Sequence, residues 1–281
     1  MMQQLKVLQS IWAMERREPD GFERTLDENL RMIAEASFDG VSIFVSSKEQ
    51  TQAIKQALGG TDLLVEACGL PACDDDLRRQ IDFAGELGAL HFNVQPDVRL
   101  RRLTDGIELI ERWMKIGDGA GLPVYFETHR NRLTTDLFFT LDLLEAVPTM
   151  PLLADLSHFL VGREFAWPVS DENHRLIERI LDSSWAFHGR VASREQVQIE
   201  ISFPHHQIWV NLFAGWWRYG FESWRRRAGF DAQLSFTCEL GPRPYAITTS
   251  AANDSTDRWA EALLMRELVM GIWAASAQTG T

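Results

Sequence analysis

Residues 122–158 read LPVYFETHRNRLTTDLFFTLDLLEAVPTMPLLADLSH, and this stretch decides the fold. A short apolar run at 123–126 ends in Glu127, and a second run at 152–154 ends in Asp155. The 28 residues from Glu127 to Asp155 leave room for one helix and its turns. Pro151 stands directly before the second run, where a preceding helix has to end. The stretch therefore predicts a strand–helix–strand unit with parallel strands.

The same pattern recurs along the whole chain. Gly121 stands before the run at 123–126 and Gly88 before a further run at 90–94, as Pro151 stands before 152–154. Eight βα units predict a closed (β/α)₈ barrel, a TIM barrel of the α/β class, as one domain over residues 1–281. An open, doubly wound sheet is the alternative, because periodicity does not count closure. The predicted strands are 5–11, 40–44, 63–67, 90–94, 123–126, 152–154, 186–188 and 234–238, and the clearest predicted helices are 22–36, 48–58, 75–87 and 257–275.

Composition narrows the class of protein. The 281 residues carry a formal net charge of −12, which argues against a nucleic-acid partner. Three cysteines are an odd and sparse set that suggests no disulfide framework, so we expect a reducing, cytoplasmic location. The chain contains no long apolar run, so neither a secretory signal nor a membrane span is expected.

Four consecutive predicted strands end in side chains that bind metal ions. Glu127, Asp155, His188 and Glu239 follow the fifth, sixth, seventh and eighth strands, with 33 residues from Asp155 to His188. Active sites of such barrels lie at the C-terminal ends of the strands, so these side chains should share one rim. Three carboxylates and one imidazole suit one divalent ion, with Mn²⁺ first and Mg²⁺, Co²⁺ or Zn²⁺ as alternatives.

Other residues near the predicted rim are less specific. Trp12, Gln95 and Glu66 lie at or near strand ends and serve either substrate contact or packing. The pair His205 and His206 is expected at the surface, because no carboxylate accompanies it at a suitable spacing. The aromatic segment 205–224 is predicted to be a helix packed on the barrel, with a cover over the site or a subunit interface as the alternative.

The chain resembles the xylose isomerase-like TIM-barrel superfamily over nearly its whole length, in particular the sugar (phosphate) isomerase and epimerase branch with the ketose 3-epimerases. The resemblance is clearest over residues 122–160 and 186–246. The resemblance rests on Glu127, on Asp155-Leu156-Ser157-His158, on His188, and on Glu239-Leu240-Gly241-Pro242 with Pro244-Tyr245. It implies that Glu127, Asp155, His188 and Glu239 hold one divalent ion. It also implies that His158 lies near substrate, and that Arg194, six residues after His188, binds substrate oxygens.

The resemblance further implies a mechanism for a sugar isomerase or epimerase. The ion would polarise a substrate carbonyl while a neighbouring C–H loses its proton to give an enediolate. Glu127 and Glu239 would be the catalytic pair on opposite faces of that planar intermediate.

Some residues depart from the epimerase pattern. Leu133 stands where family members often carry a glutamate, and His129, Arg130 and Arg132 follow Glu127 instead. This cluster is either a solvated face or a binding site for an anionic substrate, to which His129 and Arg130 would contribute. The second reading favours a metal-dependent lyase or dehydratase, including enzymes that cleave C-glycosides, as the alternative function.

Two further classes are weaker alternatives. The apurinic-site endonucleases of the same superfamily need extra histidine ligands, whereas Gln95 stands in Asn93-Val94-Gln95-Pro96 and no Asp-x-His follows His188. A non-catalytic binding barrel would tolerate neutralisation of Glu127 and Glu239. We expect a small carbohydrate-like substrate, with an anionic one as an alternative, and a homo-oligomer, either a dimer or a tetramer.

Overall fold

A computed structural model describes residues 2–277, so residue 1 and residues 278–281 of the predicted domain lie outside the described part. Eight parallel strands pair in chain order and close into a barrel through β1 and β8. The closed (β/α)₈ barrel is therefore confirmed, and the open-sheet alternative is wrong. The strands are β1 Gln4–Ser10, β2 Gly40–Phe44, β3 Leu64–Gly69, β4 His91–Val94, β5 Val124–Glu127, β6 Leu152–Ala154, β7 Ser184–Gly189 and β8 Gln233–Cys238.

The helices of the described residues surround the barrel. Most begin at a side chain that accepts a hydrogen bond from the first turn, as Ser47, Asp136, Ser170 and Asp257 do. They are α1 Leu26–Glu35, α2 Lys48–Leu58, α3 Asp74–Glu86, α4 Leu103–Ala120, α5 Leu137–Ala146, α6 Ser157–Gly162, α7 Asp171–Leu181, α8 Gln207–Arg227 and α9 Arg258–Ser276.

The boundary of α1 differs from the prediction of a helix over 22–36. Thr25 and Glu28 form a capping box, in which each side chain bonds the backbone of the other residue. The helix therefore starts after Thr25, and the exposed Phe22 lies before it. The predicted strands match the observed ones to within one or two residues at most ends, and 40–44 and 152–154 match at both ends.

The apolar core lies between the strands and the surrounding helices. The aromatic segment is mainly α8, which packs on the outer faces of β7 and β8 as its packing interpretation predicts. The ring of Trp217 lies 5.1 Å from Phe236 and that of Phe221 lies 5.3 Å from Phe187. This helix therefore supports β7, which contains His188, and β8, which ends directly before Glu239.

The interior of the barrel is unusually polar. Barrels of this fold are commonly filled by layers of branched apolar side chains. Here buried polar side chains come from most strands, and they include Ser42, Glu66, His91, Asn93, His188, Ser235 and Thr237. A buried polar group is costly unless it is hydrogen-bonded, so these side chains require partners inside the barrel.

His206 does not lie at the surface, contrary to the prediction for the His205–His206 pair. His205 is exposed, but His206 is buried and its Nδ1 lies 2.7 Å from the carbonyl oxygen of Glu200. A backbone partner, which the sequence pattern does not show, is what satisfies this imidazole. Within the described chain, no helix is both long enough and apolar enough to cross a bilayer.

Candidate metal and substrate site

The structure brings the four predicted ligands to one end of the barrel. Glu127 is the last residue of β5, Asp155 and Glu239 directly follow β6 and β8, and His188 lies near the end of β7. Ligand atoms of Glu127, His188 and Glu239 lie within 4.8 Å of one another. Asp155 joins them through Arg190, whose Nη2 is 3.8 Å from Asp155 Oδ2 and 2.7 Å from Glu239 Oε2.

Glu127 is held by one oxygen and leaves the other uncommitted. Asn93 Nδ2 and Gln95 Nε2, both from the end of β4, donate to Glu127 Oε2 at 2.5 and 2.8 Å. Glu127 Oε1 is buried and has no hydrogen-bond partner among residues 2–277. Gln95, predicted as a substrate or packing residue, is thus an anchor for Glu127. The two amides fix the carboxylate so that Oε1 is the atom available to a ligand.

Asp155 shows the same division between its two oxygens. Oδ1 accepts the backbone N–H of Ser157 at 3.0 Å and its hydroxyl at 2.5 Å. The Thr128 hydroxyl bridges from β5 to the backbone of Asp155, with distances of 2.8 and 2.9 Å. Asp155 Oδ2 is buried without a hydrogen bond in the described part of the chain, 3.5 Å from His158 Nε2. A second carboxylate oxygen is therefore left uncommitted at this end of the barrel.

His188 lies between two carboxylates. Its Nε2 is 2.7 Å from Glu66 Oε1, and its Nδ1 is 3.0 Å from Glu239 Oε2. Glu66, on β3 across the barrel, also lies 2.8 Å from His91 Nε2 and accepts the Thr237 hydroxyl at 3.2 Å. Because an ionised carboxylate only accepts, both ring nitrogens of His188 face an acceptor in the metal-free chain. Nδ1 is the nitrogen on the side of Glu127 and Glu239, so a metal ion bound there would replace its proton while Glu66 holds the proton on Nε2.

The buried arginine of the site is Arg190 and not the predicted Arg194. The Arg194 side chain is 45% exposed and lies 3.7 and 3.8 Å from Glu164 and Glu195 at the surface. Arg190 is 1% exposed, and its Nε donates to the Glu239 carbonyl oxygen at 3.1 Å. Side chains two residues apart on a strand point the same way, so Arg190 continues on the side of His188. This alternation is the signal that would have found Arg190 in the sequence.

Aromatic and basic side chains surround the mouth of the site. The ring centroids of His129 and His158 lie 4.0 Å apart, and those of Trp12 and Tyr245 lie 5.1 Å apart with the two rings perpendicular. The Arg130 guanidinium lies over the Tyr245 ring at 4.8 Å. The predicted residues Trp12, His129, Arg130 and His158 are thus brought to the site together with Tyr245.

Two neighbours of His129 lie elsewhere. Leu133 is buried among apolar side chains, so no carboxylate replaces the family's glutamate there. Arg132 Nη1 lies 3.3 Å from Asp97 Oδ1, away from the ligands. Of the three basic residues that follow Glu127, His129 and Arg130 lie at the mouth of the site, whereas Arg132 pairs with Asp97 outside it.

The carboxylates of the site have displaced pKa values of opposite sign. Burial raises the pKa of Glu127 to about 7, and the neighbouring charges of Glu239 and Asp155 add to the rise. Burial also raises the pKa of Asp155, with the Glu239 charge acting in the same direction. For Glu239 burial acts upward as well, but the Arg190 and His188 cations prevail and lower its pKa to about 2.

The pKa values of the histidines are also displaced in opposite directions. Burial favours neutral His188, but the Glu66 and Glu239 carboxylates hold its pKa well above the usual range. Burial lowers the pKa of His129 to about 4, and it holds the pKa of His158 far below the usual range. Neither ring nitrogen of His158 has a hydrogen-bond partner within the described residues. His129 and His158 are therefore neutral groups, whereas His188 is held between negative charges.

These groups fit one divalent cation. Glu127, Asp155 and Glu239 bring three carboxylates, of which Arg190 compensates one, and two of their buried oxygens are uncommitted. A divalent ion would balance the remaining charge and give those oxygens a partner.

Known proteins resemble this chain in structure but not in sequence. The sequence matches no protein-family model and no curated protein. A solved xylose isomerase-like TIM barrel protein from Mycobacterium smegmatis, in complex with magnesium, is similar in structure with a TM-score of 0.62 and 13% identity, covering 96% of this chain and 97% of that one.

Two further solved structures are similar over nearly the whole chain. A sugar phosphate isomerase/epimerase from Parabacteroides distasonis has a TM-score of 0.61 at 11% identity, covering 97% of this chain and 95% of its own. D-psicose 3-epimerase from Clostridium cellulolyticum, solved with D-tagatose, has a TM-score of 0.55 at 12% identity, with coverages of 97% and 99%. This chain therefore shares the TIM-barrel fold of these three structures, which is the fold that the resemblance of its sequence predicted.

Proposed function

We propose that this chain is a divalent-metal-dependent isomerase or epimerase that acts on a small carbohydrate-like substrate. The observation that carries the proposal is the pair of buried, uncommitted oxygens, Glu127 Oε1 and Asp155 Oδ2, beside His188 and Glu239. Buried carboxylate oxygens without partners are costly, and a bound cation removes that cost. Mn²⁺ is the first candidate ion, because oxygen ligands with one imidazole suit it well.

Glu127, Asp155, His188 and Glu239 would hold the ion, with His188 binding through Nδ1. When bound, the ion supplies Lewis-acid polarisation of a substrate carbonyl, which acidifies the neighbouring C–H.

Glu127 and Glu239 would carry the proton transfers. Burial raises the pKa of Glu127 to about 7 in the metal-free chain, and a bound cation would lower it, so Glu127 would be ionised and able to accept a proton. Arg190 and His188 keep Glu239 ionised in the metal-free chain, which is the form that accepts a proton. Proton removal by one carboxylate and return by the other, on the opposite face, would invert the carbon. Return to the neighbouring carbon would give the isomer.

The substrate would be bound mainly by the mouth of the site. His158 is a neutral imidazole that can donate to or accept from a hydroxyl. His129 donates its Nδ1–H to the carbonyl oxygen of Arg130, so it would offer Nε2 as an acceptor. Arg130 lies exposed at the entrance and would attract an anionic substrate. The acidic net charge favours such a small molecule over a nucleic acid. The expected homo-oligomer stays a prediction.

The first test is metal content. Purified chain supplied with Mn²⁺ should hold about one ion per chain, the occupancy of a single mononuclear site. The variants His188→Ala and Glu239→Gln should lose most of it. His206→Ala is the matched control, because it removes a buried imidazole outside the site and should keep the ion. A wild-type chain that binds no divalent ion would refute the proposal.

The second test is proton exchange in D₂O. Ketoses and sugar acids are incubated with the metal-loaded chain, and deuterium next to the carbonyl is followed by NMR. An isomer or epimer of unchanged formula supports the proposal, and Glu127→Gln should abolish exchange. A product that has lost water or an aglycone would instead establish the lyase alternative.

A further inference from the structure

Arg190 has a donor group that the chain itself does not use. Its Nη2 and Nε are engaged by Glu239, at 2.7 Å to the carboxylate and 3.1 Å to the backbone carbonyl. Its Nη1 is buried and finds no hydrogen-bond partner anywhere in residues 2–277. A buried charged donor left without an acceptor is costly, so such a group points to a ligand that binds there.

The orientation of this guanidinium is fixed by aromatic rings. Its central carbon lies 4.9 Å from the Tyr245 ring and 5.7 Å from the Trp12 ring. Stacking on rings leaves the edges of the planar group for hydrogen bonds. One edge faces Glu239, so the edge that carries Nη1 is presented to whatever enters beside the ligand carboxylates.

We propose that Arg190 binds the carboxylate of the substrate, and that the substrate is a short hydroxy acid or keto acid whose carboxylate adjoins the reacting carbons. This inference rests on the proposed function for the location of the reacting carbons. It assigns recognition of the anion to Arg190 in place of the expected Arg194.

The location of Arg190 selects a carboxylate over the phosphate of a sugar phosphate. Nη1 and Nη2 are bonded to the same carbon, and Nη2 lies 2.7 Å from Glu239, a proposed metal ligand. The anion would therefore lie next to the polarised carbonyl. A phosphate at the far end of a five- or six-carbon chain would lie several bonds away, nearer the exposed Arg130. A planar carboxylate also matches the fork of a guanidinium.

His158 supports the same substrate class. Its Nε2 lies 3.5 Å from Asp155 Oδ2, the oxygen that Arg190 Nη2 approaches to 3.8 Å. Arg190 and His158 therefore flank the same oxygen of Asp155. With both ring nitrogens unpartnered among the described residues, His158 can bind the hydroxyl next to the carboxylate. Trp12 and Tyr245, whose rings lie against Arg190, are only half-buried, so these two side chains also contact solvent.

The test is isothermal titration calorimetry on the full chain, with and without Mn²⁺. The probes are D-glycerate, glycerol and glycerol 3-phosphate, which differ in the presence and kind of the anion. We expect glycerate to bind at least about tenfold more tightly than glycerol, the effect of one charge-assisted hydrogen bond. Arg190→Gln should remove most of this preference. Arg194→Gln, which removes an exposed guanidinium nearby, should keep it.

Three results would overturn the inference. The first is a wild-type chain that binds glycerate and glycerol equally, and the second is one that prefers glycerol 3-phosphate to glycerate. The third is an Arg190→Gln variant that folds, holds Mn²⁺ and keeps the glycerate affinity, because the ion would then hold the carboxylate. If Arg190→Gln does not fold, Arg190→Lys replaces it. That variant keeps the charge without the planar fork and should lose most of the preference.

Metal binding separates the two proposals. A chain that binds Mn²⁺ but does not prefer glycerate refutes this inference and leaves the proposed function standing. A chain that binds no divalent ion refutes the proposed function, and the glycerate preference of the metal-free chain then decides the role of Arg190 alone.

Discussion

Replacement of Glu66 by glutamine tests whether Glu66 orients His188 for binding a metal ion. Glu66 is fully buried and meets His188 and His91 at 2.7 and 2.8 Å. Each bond to a charged group contributes about 1.5–3 kcal/mol, and a glutamine keeps the volume and one acceptor. We therefore expect the free energy of unfolding to fall by roughly 2–4 kcal/mol. Since groups that orient a metal-binding histidine typically contribute 10- to 100-fold, Mn²⁺ affinity should fall by about that factor.

Urea denaturation and Mn²⁺ titration calorimetry measure the two effects separately. Glu261→Gln is the matched control, because Glu261 is 4% exposed and accepts the backbone N–H groups of Ile201 and Ser202 at 2.7 and 3.2 Å, away from the ligands. The control should lose stability and keep its Mn²⁺ affinity. The loss expected on removing an orienting partner is about 10- to 100-fold. If the Mn²⁺ affinity of Glu66→Gln stays within about twofold of the wild-type value, Glu66 does not orient His188.

Three other perturbations have defined outcomes. Because the pKa of Glu127 is raised from 4.5 to about 7, its protonation favours folding at low pH, so the free energy of unfolding of the metal-free chain should decline as pH rises across that window. Urea denaturation across the window should show a flatter decline for Glu127→Gln, and equal slopes would contradict the pKa. In Gly241→Ala the added carbon would lie 2.3 Å from the Trp12 ring, so we expect a changed Trp fluorescence and a loss of about 1–3 kcal/mol. Trp217→Ala should cost about 3–5 kcal/mol in urea denaturation, because its ring is fully buried against Phe236, and a loss below about 1 kcal/mol would show that the site collapses around the gap.

The barrel could be predicted from sequence because each βα unit repeats the same local signals. Apolar runs such as 152–154 are too short for helices, and Pro151 marks where the preceding helix has to end. The start of α1 was misplaced because apolar periodicity extends back to Phe22, while the Thr25–Glu28 capping box decides the boundary. The local hydrogen bonds of a cap prevail over periodicity at a helix end.

The site was predictable where it depends on strand ends, and less so where it depends on contacts across the barrel. Glu127, Asp155, His188 and Glu239 share a rim because parallel strands end on one side. Arg194 followed from family spacing, but the chain stays buried only as far as Ser193 and the Arg194 side chain is exposed. The pairing of Glu66 with His188 joins residues 122 positions apart, which no local pattern shows.

The pairing of Glu66 with His188 has a consequence for whether the barrel can be cut into two fragments that fold. β3 and β7 are four strands apart in a ring of eight, so the bond from Glu66 to His188 spans the full diameter. In this barrel a buried hydrogen bond between Glu66 and His188 joins the first and second halves across the interior. A fragment containing only β1–β4 would keep His91 but lose His188 and Thr237, so the Glu66 carboxylate would lose two of its three partners. We expect that neither half of this chain folds alone, and that the two halves fold when they are mixed.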